Sequence, residues 1–354
     1  MTALRNDHSM QRRAFLKQSV IAAAAFAGGG ILAGCGVGNT AGGAGAGSTA
    51  VTGSGTGGHS GAKLNFKLGY LPLTDHMTII GHGQTQFQHA HVEPVKFASW
   101  AELSEALKAG VVQGAFALTP IGISLRQKGV PIKAVFLGHR NGSALTAKNS
   151  PDIAQVEDFI GKTIAIPSRF STHNILIRKL LAEKGIQADR DVKLIDMAPP
   201  EMVNALSTGR VGGFIVAEPF GAQAEKQGVG KVLTLSKDIW PDHICCAVNV
   251  QEEVIAQHPE AVEELVAALT KAAAFIEGNP KEAAALSVKY LGQKAEIIEH
   301  VLTQPKGRVT FTDLTPNMAD FTATQDYMIQ FGITQERIDL QQYIDDRFAR
   351  KAKA

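Results

Sequence analysis

The sequence predicts an α/β protein of two similar lobes facing one another across a ligand crevice. Two observations carry that prediction. Beyond Ala62, short apolar runs alternate with helical patterns, the signature of β-α-β units and a parallel-rich sheet. One stretch also recurs: residues 102–120 read ELSEALKAGVVQGAFALTP and residues 201–219 read EMVNALSTGRVGGFIVAEP. At this offset of 99, seven of nineteen positions are identical, among them Gly110/Gly209, Gly114/Gly213 and Pro120/Pro219. Each copy parses as helix, glycine stop, buried strand and a proline opening the next helix. Upstream, strands at Leu64–Tyr70 and Val92–Phe97 correspond to Thr163–Ile166 and Val192–Met197.

Open α/β sheets bind ligands at the carboxyl ends of their strands. Six strand-to-helix turns then point at one crevice. The first lobe supplies Thr74, Asp75 and His76, then Ser99-Trp100, then Thr119 before Pro120. The second supplies Ser168 with Thr172 and His173, then Ala198–Pro200, then Glu218 before Pro219. Helix N-termini present unpaired N–H groups with a partial positive charge, so this crevice suits a small anion. Arg140 and Arg169 stand at strand ends or turns, where either could neutralise it. Glu218 would hold a partner such as Arg169, or a cation that travels with the ligand. Ser99 and Glu102 have the spacing of a capping box.

The boundaries follow: a first lobe at 63–142, a second at 143–243, and a helical return to the first at 244–354, with two crossing strands near Gly142 and His243 as hinge. The helical patterns at Val254–Leu302 and Pro316–Phe331 are expected to form the back of the first lobe, away from the crevice.

Residues 1–34 read as an export signal. Arg12-Arg13-Ala14-Phe15-Leu16-Lys17 has the twin-arginine pattern, although Gln11 stands where Ser or Thr is usual and leaves the general secretory route open. Val20–Leu32 is too short and too rich in glycine to span a bilayer. It ends in Leu32-Ala33-Gly34-Cys35, a lipoprotein cleavage site in which Cys35 takes the lipid. Residues 35–62, nearly all Gly, Ala, Ser and Thr, form a tether to the membrane. The signal holds four basic residues and one acid, so the formal charge of +2 becomes −1 beyond it. That balance gives no footprint for nucleic acid.

Cys245 and Cys246, inside the apolar run Ile244–Val250, read as buried strand thiols. His76, His82, His89 and His91 are dense but do not converge, so no metal site is expected. Enzyme motifs fail on context. Gly53, Gly55 and Gly58 match G-x-G-x-x-G with no strand before them, Gly161-Lys162-Thr163 lacks the earlier glycine of a phosphate loop, and there is no G-x-S-x-G elbow. No catalytic residue and no cofactor are therefore expected.

At the crevice turns the chain resembles the nitrate, sulfonate, taurine and bicarbonate group of ABC-importer solute-binding proteins. The residues that carry this are Leu71-Pro72-Leu73-Thr74-Asp75, Ser99-Trp100, Leu118-Thr119-Pro120, Ser171-Thr172-His173, Pro199-Pro200-Glu201-Met202 and Glu218-Pro219-Phe220. The resemblance runs from Leu64 to about His258. It implies the type II periplasmic-binding-protein fold, a permease and ATPase as partners, and ligand contacts at Trp100, Thr119 and His173. Two positions depart from the nitrate branch: Ser143 follows Asn141-Gly142 where Gln is expected, and Pro241 follows Trp240 where Lys is expected. Thiamine-precursor enzymes share the fold, and a ligand-sensing partner of a membrane receptor would use the same crevice.

Overall fold

The computed structural model describes residues 63–353. The twin-arginine motif, Cys35 and the tether lie outside the described residues. Twelve strands follow in chain order: β1 (Leu64–Tyr70), β2 (Ala90–Lys96), β3 (Gly114–Leu118), β4 (Ile132–Leu137), β5 (Arg140–Asn141), β6 (Ser143–Lys148), β7 (Thr163–Ile166), β8 (Lys193–Asp196), β9 (Gly213–Ala217), β10 (Gly230–Leu235), β11 (Cys246–Gln251) and β12 (Val309–Thr310). One sheet runs β2-β1-β3-β11-β4 and the other β8-β7-β9-β6-β10, with β12 and β5 as a separate pair. In each five-stranded sheet the first three strands are parallel, and the fourth lies antiparallel to both its neighbours. The repeat is visible here, since β3 and β9 have the same bounds displaced by 99 residues.

Crossings between the sheets feed the antiparallel strands. The chain leaves β4, passes through β5 and enters β6; it returns after β10 and enters β11. A third short strand stiffens this junction, for β12 pairs with β5, and Ile244 bridges to Arg140. Gly142, between β5 and β6, has φ +88°, which a side chain adopts only under strain.

Helices α1 (Trp100–Lys108), α2 (Thr119–Gln127), α3 (Thr172–Glu183), α4 (Pro199–Ser207) and α5 (Phe220–Lys226) follow the strand ends. Ser99 caps α1 by accepting from Glu102 N, and Ser171 caps α3 by accepting from Asn174 N. The expected capping box is incomplete: Glu102 reaches back to Ala98 N rather than to Ser99 N. Thr74–Gln84 winds as a 3-10 helix, with His76 outside helical geometry at φ −106°, ψ 16°. The bend turns the His76 ring back to Leu71, whose N–H it accepts at 2.9 Å.

The C-terminal region departs from expectation. The helix at Pro259–Gly278 packs on the 74–84 helix and β2, as a back to the first lobe should. The helix at Ala295–Thr303, however, touches α5 of the second lobe, and the one at Met318–Gln330 touches both α2 and α3. Arg308 and β12 lie at the crossing itself. Two ion pairs tie this return segment to the crossing, Arg308 with the buried Glu218 and Arg140 with Asp320.

Candidate functional site

A cavity of about 370 Å³ opens between the lobes. Ser99, Trp100, Ser104, Ser124 and Lys128 line it from the first lobe, and Ser168, Phe170, Asp196 and Met197 from the second. Trp100 is 2% exposed and meets the His76 ring edge-on at 5.5 Å. His76 in turn stacks on Phe116 at 4.9 Å. The indole is therefore the wall between the open cavity and a deeper polar cluster.

That cluster holds most of the predicted residues. Thr74, Asp75, His76, Thr119, Thr172, His173 and Glu218 are all fully buried, whereas Ser168 is half-buried at the cavity. Their hydroxyls stitch the lobes together. Thr74 donates through both N and Oγ1 to the Glu218 carbonyl, at 2.9 and 2.8 Å. Thr119 and Thr172, from opposite lobes, both donate to the carbonyl of Cys245, at 3.1 and 3.3 Å. His173 Nε2 lies 3.0 Å from Ser143 Oγ, while its Nδ1 has no hydrogen-bond partner. Ser143 thus places a hydroxyl where Gln was expected for the nitrate branch.

Two pairings were not expected. Glu218 is held by Arg308, whose Nε donates at 2.9 Å and whose Nη2 also reaches the same oxygen, and not by Arg169. Arg169 lies against Phe170 instead. Arg140 faces no ligand: it donates to the Asp242 and Asp313 carbonyls and pairs with Asp320 at 2.7 Å. Among the described residues, these two are the buried guanidiniums, and each is already neutralised.

His139, just beyond β4, stands beside Asp75, with Nε2 3.0 Å from Oδ2. Burial works against the charge on this imidazole, but the carboxylate overrides it and raises its pKa to about 10. Burial raises the Asp75 carboxyl against the pull of His139. The other buried rings stay neutral: burial pushes His76, His173 and His243 down to about 3. Cys245 closes the group. It and Cys246 are buried free thiols, and the Asp75, His139 and Cys245 ligand atoms lie within 4.8 Å of one another.

Sequence reasoning missed His139, Cys245 and Arg308 as members of the site. The signal for His139 was a polar residue directly after the buried run of β4, at a strand's carboxyl end. Arg308 lies beyond the stretch that carries the resemblance, and nothing local marks it. Of the four clustered histidines only His76 reaches the site. His82 contacts Tyr290, and His89 and His91 are exposed at β2.

Known proteins share this architecture. The chain is similar to the ligand-binding component of an ABC-type import system from Staphylococcus aureus, solved with zinc bound, at TM-score 0.75 and 27% identity over 82% of this chain and 99% of that one. The periplasmic nitrate-binding protein NrtA from Synechocystis matches at TM-score 0.73 and 21% identity, over 82% and 88% of the two chains, a likeness of fold. In sequence, the nitrate/nitrite binding protein NrtA of Nostoc is 29% identical over 58% of this chain and 52% of its own length. The taurine-binding periplasmic protein of Escherichia coli is 33% identical over 49% and 54%. The chain spans 40% of a nitrate import ATP-binding protein, NrtC of Synechocystis, and about half of these two binding proteins. The family profile that matches covers residues 61–292, and the chain belongs to the NMT1-like family of proteins with the periplasmic-binding fold.

Proposed function

We propose that this protein is the solute-binding component of an ABC importer for a small anion of the oxyanion or organosulfonate class. It captures the solute between its lobes and presents it to a permease and ATPase, and it is a binding protein rather than an enzyme. The supporting observation is the 370 Å³ cavity, walled by Trp100 and Phe170 and edged by hydroxyls and Lys128. The carboxylates of Glu105 and Asp196 are also on its rim, where they suit the ammonium group of a zwitterion such as taurine. Small-molecule sites begin at about 300 Å³, while a water takes about 30 Å³. The space suits a small organic anion, such as a sulfonate, better than a bare nitrate. The departures at Ser143 and Pro241 point the same way. Nitrate and taurine in the named relatives lend the class.

Thermal shift with taurine, an alkanesulfonate, bicarbonate and nitrate tests the reading, because a ligand of the native state raises the melting temperature. On the best of these probes, calorimetry of Lys128→Met, which removes the cation lining the cavity, should show roughly a ten- to hundredfold loss of affinity. His89→Ala, at the exposed strand, should leave affinity unchanged. Equal losses at both would discard the site.

Export and anchoring belong to the same proposal. The signal read at residues 1–34 and the acylated Cys35 would hold the protein on the outer face of the cytoplasmic membrane. Among the described residues no helix is long and apolar enough to cross a membrane. Cys35→Ser should move the protein from the membrane pellet to the soluble fraction without changing solute affinity. Recovery of the variant in the pellet would contradict the lipid anchor.

A further inference from the structure

Asp75, His139 and Cys245 converge on one point. Their ligand atoms lie within 4.8 Å of each other, and His139 Nε2 and Asp75 Oδ2 are 3.0 Å apart. From ordinary zinc–oxygen, –nitrogen and –sulfur bond lengths, the edge of a tetrahedral site is about 3.4–3.8 Å, inside that range. All three donors come from the first lobe: the 74–84 helix, the loop after β4 and the start of β11.

The hydrogen bonding fits a metal ligand set. His139 Nδ1 lies 3.0 Å from the Asp75 carbonyl, an acceptor that keeps a proton on Nδ1, so that a bound cation would displace only the proton held at Nε2 beside the carboxylate. A second bond of this kind is what orients metal-binding histidines. Nε2 and both Asp75 carboxylate oxygens are fully buried, and apart from the 3.0 Å contact between Nε2 and Oδ2 none has a hydrogen-bond partner among the described residues. Buried polar atoms left so call for an ion or a donor that is part of the working site. Around them, His76 Nε2, His173 Nδ1 and His243 Nε2 are also buried without partners.

A nucleophilic relay of thiol, imidazole and carboxylate is the competing use of these residues. In such a relay the carboxylate orients the imidazole through Nδ1 and the thiol faces Nε2. Here the Asp75 carboxylate crowds Nε2, on the side of Cys245, and Nδ1 goes to a backbone carbonyl. The three groups surround a point instead of lining up.

We propose that Asp75, His139 and Cys245 form a buried site for one thiophilic divalent cation of the zinc class, in which three protein donors leave the fourth position to a small exchangeable ligand. An open fourth position is where such ions take an exchangeable ligand. The ion would add positive charge to the buried cluster, where both guanidiniums are already paired. The inference goes beyond the proposed solute reading and stands without it, because the three donors lie behind the Trp100 indole and line no part of the solute cavity.

The test is a cobalt(II) titration of the full chain carrying Cys35→Ser, so that Cys245 and Cys246 are the remaining thiols. The expected result is a saturable one-to-one complex with a near-ultraviolet thiolate-to-cobalt charge-transfer band, displaced by zinc. Cys245→Ser should abolish the band, and Cys246→Ser should retain it. Asp75→Asn and His139→Gln, which keep side-chain volume, should each weaken cobalt binding by at least about tenfold. Circular dichroism on each variant confirms that a lost band is not a lost fold. No saturable band in the parent chain, or a band that survives Cys245→Ser, overturns the site. Solute titration by calorimetry on the same chain, with and without chelator, reads solute capture separately. A solute that binds to a chain without the band refutes the metal and leaves the importer reading standing.

Discussion

Gly142 shows how closely the backbone approaches the buried acid. A Cβ there would stand 2.7 Å from Asp75 Oδ1 and 3.0 Å from His139 Cδ2, on a residue already at φ +88°. Gly142→Ala should therefore cost more than the backbone strain alone. Gly161, at φ +77° with open space around it, isolates that strain and should cost about 1 kcal/mol on substitution by Ala. Gly142→Ala should reach about 3 kcal/mol in urea unfolding. Equal losses at the two glycines would mean that Asp75 is not held against the crossing. The residues legible from sequence were those at strand-to-helix turns, Thr74 to His76, Thr119 and Thr172-His173, because turn position is a local property. His139 and Cys245 were not legible as partners of Asp75. They lie 64 and 170 residues further along, and only closure of the first sheet by β11 brings them together.

Among elements, the internal repeat told most of the architecture, since a spacing of 99 residues recurs as matching strands in the two sheets. What it did not tell was where the C-terminal third goes. Its helices are amphipathic everywhere, and an apolar stripe does not name the lobe it covers. The crossing strand β12 and Arg308 make the difference, for they tie the return segment to Glu218 at the end of β9. Both side chains of that pair are almost completely buried, at 4% and 0% exposure. Arg308→Met would leave the Glu218 carboxylate without its cation and should cost about 3–5 kcal/mol. Adding Glu218→Gln, which removes the charge while keeping an acceptor for Ala222 N, should recover most of it. Additive losses in a double-mutant cycle would show that the pair is not a structural unit.

At the scale of the whole molecule, the lobes are hydrogen-bonded across the crevice, Thr74 to Glu218 and Thr172 to Cys245, around a core of neutral histidines. In the form described here the lobes are in contact through these bonds. A solute that touches both lobes shifts the population toward this form, and its differential affinity for the closed form sets the extent. The two crossings, braced by β12, are where the backbone would turn. Small-angle scattering of the chain, with and without the probe that scores highest by thermal shift, tests this account most directly. The free protein should have a radius of gyration larger than that of the closed structure described here, and saturating probe should bring it down to that value. An unchanged radius at saturation, with binding verified by calorimetry in the same buffer, would contradict capture by closure.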